Sequence, residues 1–158
     1  MSRQVINDTY SLEIPDSFVL IPEEDLVKLS QGRGDPFNWG ARDPESHAMI
    51  LVIWKRYPGI LSLLANPKDM VRRNEQMTQK MYEGHDYHLL EFFSIQAGDE
   101  QAEGYRFSYT AEGVSHVRNN FLVKDGKTVY AFICAGRAEN AEADRATFLA
   151  VMESLEYA

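Results

Sequence analysis

Ala48-Met-Ile-Leu-Val-Ile-Trp54 decides the fold, because this run is apolar at every position and therefore on both faces of an extended strand. Such a strand has to be covered on two sides, which places it at the centre of a sheet carrying helices on each face. Thr128-Val-Tyr-Ala-Phe-Ile-Cys-Ala135 has the same character and makes a second central strand. The two segments together imply three layers.

Working outward from these strands, Glu112-Gly113 and Asp125-Gly126 are turn dipeptides between extended runs. Asp-Gly is among the best short-range hairpin signals. Gly104 to Thr110, Val114 to Lys124 and Thr128 to Ala135 therefore form an antiparallel meander. Tyr10, Leu12 and Ile14 alternate with Ser11 and Glu13, the period of a half-buried strand that ends at Pro15-Asp16. Phe37 to Arg42 reads as a strand turning at Asp43-Pro44-Glu45-Ser46, and Tyr87 to Ile95 as another, followed by a polar connection from Gln96 to Glu103.

Helices fill the remaining stretches. Pro22 stands at a first helical position, and Glu23, Glu24 and Asp25 follow where the helix dipole favours negative charge. Met70, Asn74, Met77 and Met81 trace one side of a helix from about Pro67 to Tyr82, which Gly84 ends. A closing helix from about Asn140 to Leu155 carries Ala141, Phe148, Leu149, Met152 and Leu155. The expected architecture is a single α+β domain over residues 1–158: a three-layer α/β/α sandwich with a mainly antiparallel sheet of about six to seven strands. Strand order stays undecided, since hairpin signals are local.

Composition fits one core, with 44% hydrophobic and 25% charged residues in a 158-residue chain. A domain of that size buries roughly 68–70% of its unfolded surface. The net charge of −8 has the wrong sign for gaining affinity by neutralising phosphates, which argues against nucleic acid and anionic membranes as partners. No run approaches the ~20 apolar residues of a membrane span, and the N-terminus lacks a signal-peptide core. A single cysteine, Cys134, agrees with a reducing compartment, so a cytoplasmic location is expected.

Several patterns resemble the PsbP-like superfamily of photosystem extrinsic proteins, the Ran-binding nuclear import factor and bacterial DcrB-type proteins. They are Tyr10-Ser-Leu-Glu-Ile-Pro15 ahead of a Phe, Glu103-Gly-Tyr-Arg-Phe-Ser-Tyr-Thr110, Asp125-Gly-Lys-Thr-Val-Tyr-Ala-Phe132 and the terminal Met152-Glu-Ser-Leu155. The resemblance implies the same α/β/α sandwich and transfers no catalytic residue. Its members look like non-enzymatic binders, among them chaperones for apolar segments of secreted effectors.

Sharper chemical motifs fail on spacing. Gly126-Lys127-Thr128 lacks the glycine a P-loop needs at position 121, which is Phe121, and no hydrolase elbow or zinc-binding His-Glu-x-x-His occurs. His85 and His88 would point to opposite faces of a strand, so they make no metal site by themselves. Cys134 in a doubly apolar strand behaves as a small hydrophobe rather than a nucleophile. Asn7-Asp8-Thr9 matches a glycosylation sequon and Arg33-Gly34-Asp35 an adhesion tripeptide, both frequent by chance.

The residues that the pattern does not send clearly inward are Phe37, Trp39, Tyr57, Tyr105, Arg106 and Arg118. Trp, Tyr and Arg are the types that anchor interfaces. With the Glu112-Gly113 turn central, Arg106 faces Asn119 and Arg118 is its diagonal neighbour, so both arginines are expected on one face. The alternative is that the arginines pair with nearby acids and the aromatics are core. The functional expectation is a non-catalytic protein-binding module, an adaptor or chaperone, with an unidentified protein partner or a second copy of itself and no cofactor. Against it stands a small-molecule binder, or an enzyme whose site is assembled from distant residues. A homodimer with a purely structural role is the third reading.

Overall fold

A computed structural model describes residues 1–30, 36–60 and 66–158. Ten strands and three α-helices lie among these residues, named here in chain order. The strands are β1 (Ser2–Ile6), β2 (Tyr10–Ile14), β3 (Val19–Leu20), β4 (Trp39–Arg42), β5 (Met49–Arg56), β6 (His88–Ala97), β7 (Glu100–Ala111), β8 (Val114–Asp125), β9 (Thr128–Arg137) and β10 (Glu156–Tyr157). The helices are α1 (Glu23–Leu29), α2 (Pro67–Met81) and α3 (Ala141–Glu153).

Seven strands form the main sheet in the order β3-β4-β5-β9-β8-β7-β6, and every neighbouring pair is antiparallel. The two doubly apolar runs, β5 and β9, pair side by side with Ile50 opposite Cys134 and Val52 opposite Phe132. One face of the sheet meets α3 and a second, three-stranded sheet ordered β1-β2-β10. There Leu12, Ile14, Val52, Phe121, Phe132, Phe148 and Met152 share one core. The other face carries α1 over Leu51 and Ile133, and α2 over Tyr105, Phe107 and Leu122. The expected sandwich is therefore present, with one outer layer shared between a helix and a small sheet.

Local sequence explains these elements. Asn66 caps α2 by accepting from the Lys68 N–H at 2.9 Å, and Pro67 follows at the first turn, where its missing N–H costs nothing. Glu112 and Gly113 both have positive φ, at 52° and 78°, the twist-matched geometry of a two-residue hairpin loop. Gly40 lets α1 sit close on β4, since a Cβ there would meet Leu26 Cδ2 at 3.0 Å.

Four expectations need correction. Gln96 to Glu103 is not a connection: β6 and β7 run through it and only Gly98-Asp99 turns, with Gly98 at φ 61°. Its polar residues mark the solvent side of a hairpin whose Ala97, Ala102 and Glu103 are buried. Pro22 is the N-cap of α1 rather than its first residue. On α2 the buried positions are Val71 and Glu75, whereas Met77 and Met81 are 65% and 60% exposed. The methionines misled because one contiguous stripe was read from four residues, while the helix actually rotates its Val71 side onto the sheet.

The fourth correction concerns the arginines. The register is as expected, Arg106 opposite Asn119, but Phe107 is the residue opposite Arg118. Successive strand residues alternate faces, so Arg118, adjacent to Asn119, points away from the face that Arg106 shares. Arg106 lies on the α3 side, 3.7 Å from Glu142, and Arg118 on the α2 side, over Tyr82 and Tyr109.

Candidate functional site

Of the concave regions on the helix-bearing face that α1 and α2 cover, two include residues predicted from the sequence. The first is a groove of about 400 Å³ at the β3 edge, whose lining includes Leu20, Glu23, Val27, Phe37 and Trp39. Phe37 is buried against Ile21, Leu26 and Leu51, and its N–H donates to Ser30 Oγ at 2.8 Å. Trp39 is half-buried and packs with Val52 against the core on the opposite face of the sheet, so of these two predicted residues Phe37 alone floors the groove. Leu20 and Val27 of the lining are exposed, as are Val19 on β3 and Leu29 on α1. β3 is also the terminal strand of the main sheet, which leaves one of its backbone edges unpaired by any other strand among the described residues.

The second is a cavity of about 170 Å³ between α2 and the sheet, lined in part by Met77, Met81, Arg118, Asn120, Leu122 and Ile133. Tyr105 and Arg118, both predicted from sequence, come together here. Thr78 Oγ1 donates to the Asn74 carbonyl at 2.8 Å, which uses its only hydrogen. The Tyr105 hydroxyl must then donate to Thr78 Oγ1, also at 2.8 Å, and accept from Asn120 Nδ2 at 3.0 Å. This relay fixes the orientation of the Asn120 amide. Asn120 Oδ1 is left buried with no hydrogen-bond partner.

Arg118 lies beside that amide, two residues away on the same strand face. Its guanidinium carbon is 5.7 Å from the Tyr82 ring centre and 5.2 Å from that of Tyr109, two rings that stack on each other at 4.3 Å. Its Nε is buried without a hydrogen-bond partner, and among the described residues no carboxylate lies within 4.0 Å of it. Burial raises the pKa of Tyr105, opposed by its bonds to Thr78 and Asn120. Burial, and then the charges of Arg118 and Arg137, hold His116 below its ordinary value.

The other predicted residues stand apart. Tyr57 is half-buried against the cluster beneath α2, and its N–H donates to the Lys127 carbonyl at 2.7 Å. Arg106 is on the opposite face, with a side chain 12% exposed. His88 sits with Asp86 at 2.9 Å, and among the described residues no three His, Cys, Asp or Glu side chains gather as metal ligands would. Asn7 of the sequon donates to the Tyr130 hydroxyl at 2.9 Å in the β1–β2 turn, while Arg33-Gly34-Asp35 lies outside the described residues. No described helix is long and apolar enough to cross a membrane. The sequence reading missed Asn120, Thr78 and Tyr82, whose roles depend on cross-strand register and helix phase.

The architecture defines a mixed α+β sandwich built on an antiparallel sheet, and comparison with solved structures gives that class a name. The fold is like that of a solved PsbP structure, in keeping with the fold that the sequence resemblance implied. Cyanobacterial PsbP (CyanoP) from Synechocystis sp. PCC 6803 superposes with a TM-score of 0.72 over 99% of this chain and 92% of its own, at 13% identity. LpqN of Mycobacterium tuberculosis, described as involved in cell envelope biogenesis, gives 0.64 over 94% and 82%, at 14% identity. A Pseudomonas aeruginosa protein of unknown function gives 0.55 over 98% and 94%, at 14% identity. No protein-family model matches the chain, and no curated protein does either. At these identities the likeness is one of fold alone.

Proposed function

We propose that this protein is a non-catalytic binding module that holds a partner protein by an extended apolar segment, laid in the groove between α1 and the β3 edge. The carrying observation is a groove floored by Phe37 at the end of the main sheet, with exposed Leu20 and Val27 in its lining and Val19 and Leu29 also exposed on the same strand and helix. A free strand edge offers backbone hydrogen bonds to an added strand, and flanking pockets take alternate side chains. Grouped apolar side chains in water mark an interaction surface rather than ordinary scatter. Glu23 lines the groove and Glu24 is exposed beside it, so the segment that fits is apolar with basic flanks. The single cysteine supports a cytoplasmic setting for this activity.

The test uses a fluorescent peptide of alternating apolar residues with lysine at each end, and the same peptide with glutamate ends. The full chain should bind the lysine-flanked peptide more tightly, and Val27→Asp should weaken it about tenfold or more with little change in Tm, since Val27 is exposed. Equal binding by Val27→Asp, or no preference between flanks, would remove the groove from this role.

A further inference from the structure

We infer that the cavity beneath α2 is a binding site for a small organic acid, a carboxylate that carries its own hydrogen-bond donor beside an apolar body. This site is separate from the α1 groove and does not depend on it. Three properties of the cavity define the ligand.

The first is an uncompensated cation. Arg118 is held half-buried by Tyr82 and Tyr109, and no carboxylate answers it among the described residues, although the chain as a whole carries a net charge of −8. A guanidinium taken partly out of water without a counter-ion is costly, and its planar fork matches a carboxylate better than any other small anion except phosphate.

The second is an acceptor that the fold cannot turn. Because Tyr105 donates onward to Thr78, its oxygen requires the Asn120 Nδ2, and Oδ1 stays a buried, unpartnered acceptor on a residue that lines the cavity. A simple carboxylate offers it no donor, and phosphate has no apolar body for the cavity's walls. A hydroxy acid offers an anion to Arg118 and a hydroxyl to Asn120.

The third is size and lining. About 170 Å³ corresponds to roughly five or six water volumes, enough for a small aromatic or branched acid and too little for a nucleotide. Met77, Met81, Leu122 and Ile133 supply the apolar walls, and the exposed methionines at the rim can re-pack around an entering ring. The same small volume favours a free acid over the terminus of a peptide.

The probes are mandelate, its neutral amide mandelamide, and phenylacetate, which lacks the hydroxyl. Titrated into the isotope-labelled full chain, mandelate should give saturable shifts at the Arg118 Nε–H and the Asn120 side-chain amide. Mandelamide should bind at least about tenfold more weakly and phenylacetate about fivefold more weakly, as expected for losing a charge-assisted and a neutral hydrogen bond. Bound mandelate should also move the His116 pKa upward, because it screens the Arg118 charge.

Arg118→Gln should abolish the preference for the acid over the amide. Met77→Trp, at a largely exposed rim position that folding tolerates, should block entry and cost about tenfold in affinity. Saturable binding lost in Met77→Trp and neutralised in Arg118→Gln supports the site. An equal response to mandelamide, no saturable shift with any free acid, or binding of peptide carboxyl termini alone overturns it.

Discussion

Asp144 on α3 presses its carboxyl group against the backbone of Gly136 on β9, so closely that a Cβ on Gly136 would stand 2.1 Å from Asp144 Oδ2. That oxygen is buried and has no hydrogen-bond partner. Glycine at position 136 is therefore what allows the closing helix to seat on the sheet, and the helix brings an unsatisfied carboxylate with it.

Burial, reinforced by the nearby charge of Asp43, holds the Asp144 carboxyl above its ordinary pKa of 3.8. An acid whose folded pKa is raised binds more protons when folded, so its penalty appears as pH rises from 3.8 through the folded pKa and is complete above it. Asp144→Asn should stabilise the protein at pH 7 by about 1 kcal/mol. That corresponds to a Tm increase of roughly 2–4 °C. The gain should disappear when thermal melts are repeated near pH 3. A stabilisation that persists at low pH would mean that packing, not charge, sets the cost.

Gly98 and Gly113 separate two costs that are usually mixed. Both turn their hairpins with positive φ, 61° and 78°, yet a Cβ at Gly98 would lie 1.7 Å from the Leu155 carbonyl oxygen while Gly113 faces open space. Gly113→Ala should cost only the left-handed penalty of about 1–2 kcal/mol. Gly98→Ala adds a collision with the backbone that leads into β10, and should cost about 2 kcal/mol more. Urea unfolding of the two variants measures the difference, and equal destabilisation would show that the chain end yields.

These elements also show which parts of the molecule were legible from the sequence. β5 and β9 announced themselves because burial on both faces leaves no room for a polar residue, and their side-by-side pairing follows from it. β1 and β10 were not legible. β1 shows exposed Ser2, Arg3 and Val5 to solvent, and β10 is two residues long, so neither carries an apolar period. What holds β10 is tertiary: Tyr157 stacks on Tyr10 at 5.1 Å and its hydroxyl donates to Glu100 at 2.8 Å. The cavity was half legible. Tyr105 and Arg118 stood out by residue type, but the face each occupies depends on counting alternation from Asn119, and Asn120 gains its meaning only from the relay through Tyr105.

Cys134 is fully buried between β5 and β8, and burial pushes its thiol well above the ordinary range. The thiolate is the reactive form, so the native protein should resist alkylation. A thiol-specific reagent should label less than a few per cent of the folded protein in the time that labels the urea-unfolded chain completely, with the native rate tracking global opening. Rapid native labelling would require local opening of the central strands and would contradict the packing of β9.

His116 offers a pH reading of the same region as the cavity. Its ring stacks on Tyr109 at 5.0 Å, and burial together with Arg118 and Arg137 lowers its pKa from 6.5. Below 6.5 the unfolded chain takes up the proton that the folded chain refuses, so stability falls as pH drops from 6.5 through the folded pKa. Above 6.5 the penalty is absent. Arg118→Gln removes one of the two opposing charges and should raise the His116 pKa toward 6.5, leaving it somewhat below because burial, the larger cause, remains. Ring-proton titration by NMR reads the shift directly, and the acid side of a stability profile should flatten in the variant. A wild-type His116 titrating at or above 6.5 would mean that the ring is better hydrated than its place beside Tyr109 implies, and the Arg118 charge less confined.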